Sequence, residues 1–322
     1  MCTAVSLFGK FPMLGRTLDV EEEYDEEIIV SLAKNETGRE NSEKHILGIG
    51  LVCDGEPLFF DAVNSSGLAG AGLNLPYFTG YGSSASASRA IASHSVIRAV
   101  LSSCDSVSDV SEYLADAVIT NEAHFSGLEA TPMHWIFSDR SASLVVESIG
   151  GELAVYMNEW GVLANAPSFD FHNLNIRLFA SLCADSVASD TSFIPGVSYS
   201  RGIGTVGLLG DFSSPSRFVR AGFLSRVTEP STSRCGEISR LLHILDNVSI
   251  PRGSVITETG KCTESAYTVC YDLSEQILYL KTYGGHSLYA VSLSDYQSSP
   301  EITRIPIPRE FSPRFITPPG LA

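Results

Sequence analysis

The chain is short of positive charge: 21 Lys and Arg stand against 37 Asp and Glu, a formal net charge of −16 over 322 residues. A phosphate backbone needs compensating cations, so this balance argues against a nucleic-acid partner. No run of 18 apolar residues occurs, which excludes a membrane-spanning helix. The first residues lack a basic stretch followed by a long apolar one, so no secretory signal is visible and a cytoplasmic location is expected. Seven cysteines (Cys2, Cys53, Cys104, Cys183, Cys235, Cys262 and Cys270) form no CxxC pair. An odd count without that spacing fits free thiols in a reducing compartment, not a disulfide or zinc framework. The N-x-S/T triplets at Asn35, Asn64 and Asn247 therefore carry no weight. His45, His94, His124, His134, His172, His243 and His286 are scattered without metal-ligand spacing, and no G-x-S-x-G elbow suggests an α/β-hydrolase.

What is present is globular. An apolar fraction of 44% with 18% charged residues is enough for a sizeable core in one large domain or two ordinary ones. The acidic run "EEEYDEE" (Glu21 to Glu27) reads as a solvated loop, because cation-binding carboxylates are usually interleaved with turns. Apolar, β-branched runs dominate the first third: "TAVSLF" and "LGRTLD" flank the turn-prone "GKFP", and "EIIVSL", "ILGIGLVCD", "EPLFFDAV" and "GLAGAGLNLP" follow. The spacing then predicts helices at "ASRAIASHSVIRAVLSSC" and "SVSDVSEYLADAV". The second opens on a Ser106/Asp109 capping box and has Val107, Val110, Leu114 and Ala117 on one face.

Three strands ("MHWIFSD", "ASLVVESIG", "ELAVYMN"), three helices ("FDFHNLNIRLFASLCAD", "SRFVRAGFLSRV", "EISRLLHILDNV") and a closing strand meander complete the chain. Two blocks of helices each need a sheet face to cover. The expected architecture is α+β: an αββα sandwich of two stacked, mostly antiparallel sheets. Residues 2–299 form a single domain. Six of the 15 prolines lie in residues 300–322, predicting an extended C-terminal arm without regular structure.

"GIGTVG" (Gly202 to Gly207) matches the dinucleotide fingerprint, but that mechanism requires a helix N-terminus next, and the turn-rich "LLGDFSSPSR" follows. Close backbone approach is the better reading of these glycines, and no cofactor or metal is expected.

The second residue is more informative. Removal of Met1, which small second residues permit, would leave Cys2 with a thiol and an α-amine on one residue. Their ordinary pKa values, about 8.5 and about 7.7 to 8.0, are close enough for the amine to take the thiol's proton. N-terminal threonine nucleophiles use the same arrangement. Elsewhere, isolated polar residues sit in apolar or turn surroundings. Arg16 and Asp19 lie three apart in "GRTLD", where strand alternation sends them to opposite faces unless the chain bends. Asn74 closes "GLN", Asn165 precedes a helix in "LANAPSFDFH", and Arg217 sits in "SSPSRFVR". Singly, each also suits a turn, a cap or an ion pair.

Taken in order, "MCT", "GRTLD", "GLAGAGLN", "MHWIFSD", "LVVES", "GVLANAPSFDFH", "GLLGDFSSPSRFVR" and "LLHILDNV" resemble the choloylglycine hydrolase family of N-terminal-nucleophile hydrolases, over nearly the whole chain. This family comprises bile salt hydrolases and penicillin V acylases. The resemblance implies Cys2 as nucleophile, with Arg16, Asp19, Asn74, Asn165 and Arg217 as its catalytic partners. It also implies no cofactor or metal, a homotetramer, and a small acyl-amide substrate cleaved through a thioester. By position only, Leu18 and Phe60 would line the apolar pocket. Asn74 favours glycine- or taurine-conjugated bile acids, since some penicillin V acylases carry tyrosine there. "SIPRGSVITETGK" resembles the penicillin branch as much, and acyl-homoserine lactones are a further possible substrate. A reading of another class is a non-catalytic assembly protein on the same fold.

Overall fold

The computed structural model describes residues 1–22, 24–33, 43–83, 89–122, 130–185, 201–296, 298 and 302–310. Asn35, His124, residues 84–88, 123–129 and 186–200, and the end of the expected C-terminal arm (311–322) lie outside them.

Six strands come first: β1 (Cys2–Leu7), β2 (Met13–Val20), β3 (Glu27–Ala33), β4 (Lys44–Cys53), β5 (Glu56–Asn64) and β6 (Ala69–Asn74). β7 (Arg89–Ala92), α1 (Val96–Ser103), α2 (Val107–Leu114) and β8 (Ala117–Thr120) follow. Next are β9 (Met133–Ser138), β10 (Ser143–Ile149), β11 (Glu152–Met157) and β12 (Val162–Leu163). α3 (Phe169–Asn175), α4 (Ser214–Val227) and α5 (Arg234–Asp246) form the second helical block. β13 (Val255–Ile256), β14 (Cys262–Asp272), β15 (Ile277–Thr282), β16 (Tyr289–Ser292) and β17 (Ile302–Ile305) close the described chain.

Two antiparallel sheets stack as the sequence predicts. The first runs β12-β1-β2-β14-β15-β16, with β13 on β14, and the second runs β11-β10-β9-β6-β5-β4-β3-β17. α4 and α5 cover the outer face of the first sheet, and α1 covers that of the second. Gly15 shows how tightly α5 lies on β2: a Cβ there would stand 2.8 Å from Leu245 and 2.9 Å from Leu241. Among the described residues no helix is long and apolar enough to cross a membrane.

Several local expectations change. The predicted helix "FDFHNLNIRLFASLCAD" is α-helical only over Phe169–Asn175, followed by a 3-10 turn over Ile176–Phe179. "ASRAIASHSVIRAVLSSC" is not one helix, because Ala90 and Ile91 pair in parallel with Val118 and Ile119 of β8, and only Val96–Ser103 is α-helical. Ala117 belongs to that strand and not to α2, whose Ser106/Asp109 capping box does form. In the proline-rich end, the proline-free Ile302–Ile305 adds an edge strand to β3, and Pro306 and Pro308 follow where no further ladder bond is needed.

The "GIGTVG" glycines do not run into a helix N-terminus. Ile203–Thr205 is a single 3-10 turn. A Cβ on Gly204 would lie 2.3 Å from the Asp185 carbonyl oxygen and 2.5 Å from Cys183 Sγ, so the glycine permits a close backbone approach.

Candidate active site

Cys2 begins β1, which lies in the first sheet between the edge strand β12 and β2. Alternation assigns its surroundings. Cys2 lies opposite Leu18, and Ala4 opposite Arg16, so these four share the face turned towards the second sheet. Thr3, Thr17 and Asp19 share the other face, under α4. Arg16 and Asp19 thus do lie on opposite faces and no bend is needed: one meets the Cys2 thiol, the other lies beside Arg217.

On the inner face, Arg16 Nη2 donates to Cys2 Sγ at 2.9 Å. Nη1 of the same guanidinium donates to Asp61 Oδ2 at 3.0 Å and to the Phe60 carbonyl at 3.1 Å. Burial works against the Arg16 charge, but Cys2, Tyr267 and Asp61 outweigh it and raise its pKa above the ordinary value. Burial pushes the Asp61 carboxyl up, against the opposing pull of Arg16 and two tyrosine hydroxyls.

On the outer face, Arg217 reaches down from α4. Its Nη1 donates to the Cys2 carbonyl and to Thr3 Oγ1, both at 2.5 Å, and its Nη2 to Asn165 Oδ1 at 2.7 Å. Asp19 lies 3.9 Å from that Nη1. Asp19 Oδ1 accepts from Ser265 Oγ at 2.5 Å, while the buried Oδ2 has no hydrogen-bond partner among the described residues.

Asn165 joins the two sheets. Its Oδ1 accepts from Cys2 N at 2.7 Å, and its Nδ2 donates to the Asn74 carbonyl at 2.8 Å. Asn74 itself is exposed at the end of β6. The Cys2 nitrogen donates to Asn165 and not to Asp19. With Met1 attached, that nitrogen is an amide with one hydrogen. Met1 continues the ladder opposite Asp19, its carbonyl accepting from Asp19 N at 2.8 Å. Leu18 is buried beside Cys2, and Phe60 is half-buried with the Tyr24 ring edge-on at 5.9 Å.

Sequence reasoning passes over several groups that hold these residues. Asp61 is one, and "FFDAV" carries its signal: an aspartate inside a strand-like apolar run must find a buried partner. Ser265, Tyr267 and Tyr271 leave no such mark. His172 is another. Its Nε2 donates to the Asn165 carbonyl at 2.8 Å, which also accepts from Ser214 Oγ at 2.8 Å, and its ring stacks on Phe218 with centroids 4.8 Å apart.

Burial, with the charges of His134 and Arg217 adding to it, depresses the His172 pKa from 6.5 to about 4, against the hydrogen bond to the Asn165 carbonyl that pulls it up. The folded state therefore binds this proton later than the unfolded chain. Its stability contribution is complete above pH 6.5 and is lost as pH falls through about 4. Denaturant titrations from pH 7 to 4 should show wild type losing on the order of 3 kcal/mol more than His172→Gln; equal losses would contradict this.

The sequence model of "Linear amide C-N hydrolases, choloylglycine hydrolase family" matches residues 2–300. The chain belongs to the choloylglycine hydrolase family. It is similar to a bile salt hydrolase/transferase of Lactiplantibacillus plantarum, with 32% identity over 96% of this chain and 98% of that one. A conjugated bile acid hydrolase of Lactobacillus acidophilus is 30% identical over 88% of this chain and 95% of its own. Among solved structures, a variant of conjugated bile acid hydrolase from Clostridium perfringens superposes with a TM-score of 0.86 at 28% identity, covering 98% of this chain and 100% of that one. Penicillin V acylase from Agrobacterium tumefaciens shares the fold, with a TM-score of 0.74 at 18% identity over 95% of this chain and 91% of that one. As a choloylglycine hydrolase family member, the chain is a linear amide C–N hydrolase with an N-terminal-nucleophile hydrolase fold.

Proposed function

We propose that this chain hydrolyses the amide bond of glycine- or taurine-conjugated bile acids, with Cys2 as nucleophile once Met1 is removed. The carrying observation is the two-sided grip on Cys2: Arg16 at 2.9 Å from its sulfur, and Asn165 at 2.7 Å from its nitrogen. The relatives of 30% identity or more named above are bile acid enzymes, whereas the penicillin V acylase likeness is one of fold.

Each group takes a role from its contacts. A free Cys2 ammonium has three hydrogens where the amide has one, so it can keep Asn165 Oδ1 and also reach the orphan Asp19 Oδ2. In its neutral form the amine accepts the thiol proton, leaving a thiolate beside Arg16. The thiolate attacks the amide carbon, and the carbonyl oxygen becomes an oxyanion. Asn165 Nδ2 has one hydrogen beyond that given to Asn74, and it faces this oxyanion together with the exposed Asn74 amide. Losing one such donor typically costs about 10² to 10³ in rate. Collapse expels the amine, which leaves with the proton held by the Cys2 ammonium. Water, deprotonated by the same amine, then cleaves the thioester and releases the bile acid. Arg217 holds the Cys2 carbonyl in place throughout, and Leu18 and Phe60 contribute apolar wall.

The protein would act in the cytoplasm as a single catalytic domain over 2–299 assembled as a homotetramer. Incubation with glycocholate, taurocholate and penicillin V, following amine release, tests the reading. Glycine and taurine are expected from the conjugates at far higher kcat/KM than for penicillin V. A preference for penicillin V would overturn it.

A further inference from the structure

Arg16 can activate the sulfur only if one particular nitrogen points at it, and a flexible guanidinium has no intrinsic reason to choose. The structure supplies a reason from the opposite sheet. Asp61, on β5, is completely buried and accepts from three donors: Arg16 Nη1 at 3.0 Å and Tyr267 Oη at 2.6 Å on Oδ2, and Tyr271 Oη at 2.5 Å on Oδ1. Tyr267 and Tyr271 stand on β14 opposite Leu18 and Leu14, flanking Arg16 on its own face. Nη1 is thereby saturated between Asp61 and the Phe60 carbonyl, while Nε turns to the Thr17 carbonyl at 3.4 Å. The hydrogen bond from Nη2 goes to Cys2 Sγ.

Two irregularities build this arrangement. In β5, Ile49 pairs with Asp61 but Gly50 pairs with Phe59, which makes Phe60 the extra residue of a bulge. Phe59 then packs under the outer helices while Asp61 faces the inner layer; without the bulge both would share a face. In β14 the register shifts between Ser265 and Tyr267, so Ser265 serves Asp19 and Tyr267 serves Asp61. Stability alone does not call for such a device, because a buried ion pair can often be replaced by apolar side chains without loss.

We propose that Asp61, braced by Tyr267 and Tyr271, is a positioning residue that aims Arg16 Nη2 at the Cys2 sulfur; the inference rests on the reading of Cys2 as nucleophile. Asp61 touches neither substrate nor sulfur, so its effect must pass through Arg16. A double-mutant cycle tests that dependence on full-length protein whose Met1 has been removed. Asp61→Asn should lower kcat about tenfold or more with KM within about twofold, and should cause no further loss in the Arg16→Leu background. Equal losses in both backgrounds, or none in wild type, would overturn the proposal.

Iodoacetamide alkylation, read by peptide mass at Cys2 because other free cysteines are accessible, gives a readout without substrate. Asp61→Asn should move the pH midpoint of Cys2 alkylation, whereas Asp61→Asn/Arg16→Leu should match Arg16→Leu. An unmoved midpoint in the single variant would count against positioning. This arm decides the question even if wild type cleaves no bile acid conjugate, in which case the substrate reading alone fails. Should Asp61→Asn not fold, Tyr271→Phe keeps the charges and removes one brace. It is expected to lose about threefold in kcat through the same cycle; losses that persist with Arg16→Leu would again overturn the proposal.

Discussion

Cys2→Ala is expected to lower hydrolysis of conjugated bile acids by roughly 10⁴-fold or more while the protein stays folded. Both halves follow from the geometry. Cys2 is 4% exposed at the start of β1, and its main-chain bonds to Asn165 and Arg217 do not involve the sulfur. Alanine keeps those bonds and the pairing with Leu18, losing only the atom that Arg16 addresses. Arg16 would then retain Asp61 as counter-charge, so no unpaired buried cation results. Steady-state amine release gives the rate, and thermal unfolding with circular dichroism gives the fold. Substantial residual turnover by a folded Cys2→Ala protein would remove the nucleophile from the account.

The second large effect concerns one residue that takes no part in the chemistry. A chain that keeps Met1 is expected to be slower than the trimmed chain by about 10² to 10⁴, the usual contribution of a positioned base. An amide nitrogen has no available lone pair. In the Met1-bearing structure its single hydrogen is already given to Asn165. Met1 also occupies the ladder position opposite Asp19, accepting from its main-chain nitrogen. The site is otherwise assembled in that state: Arg16, Asn165 and Arg217 hold Cys2 as described, and Asp19 Oδ2 has no hydrogen-bond partner among the described residues. Trimming exchanges one amide hydrogen for the three of an ammonium and gives up the ladder bond from Asp19 N to the Met1 carbonyl.

Much of this was legible in residue order. Alternation in "TAVSLF" and "LGRTLD" around "GKFP" predicts the hairpin that carries Cys2, and the spacing of Arg16 and Asp19 predicts their opposite faces. The assignment of Asn74, Asn165 and Arg217 to one site came from family motifs, since each alone suits a cap or a turn. Periodicity could not show the two bulges. A one-residue slip at Phe60 and another at Ala266 decide which side chains of β5 and β14 face Arg16, and neither alters the apolar pattern. The same limit applies to β7, where helix-like composition yields to a pairing with β8 formed far along the chain. Ile302–Ile305 shows the reverse: four residues between prolines are enough to extend an edge when β3 offers one.

Intact-protein mass, measured on the same fractions as conjugate hydrolysis, tests the central claim most directly. Specific activity should rise in proportion to the fraction of molecules beginning at Cys2 and extrapolate to almost nothing for those still carrying Met1. Full activity in material whose mass includes the initiator would contradict it.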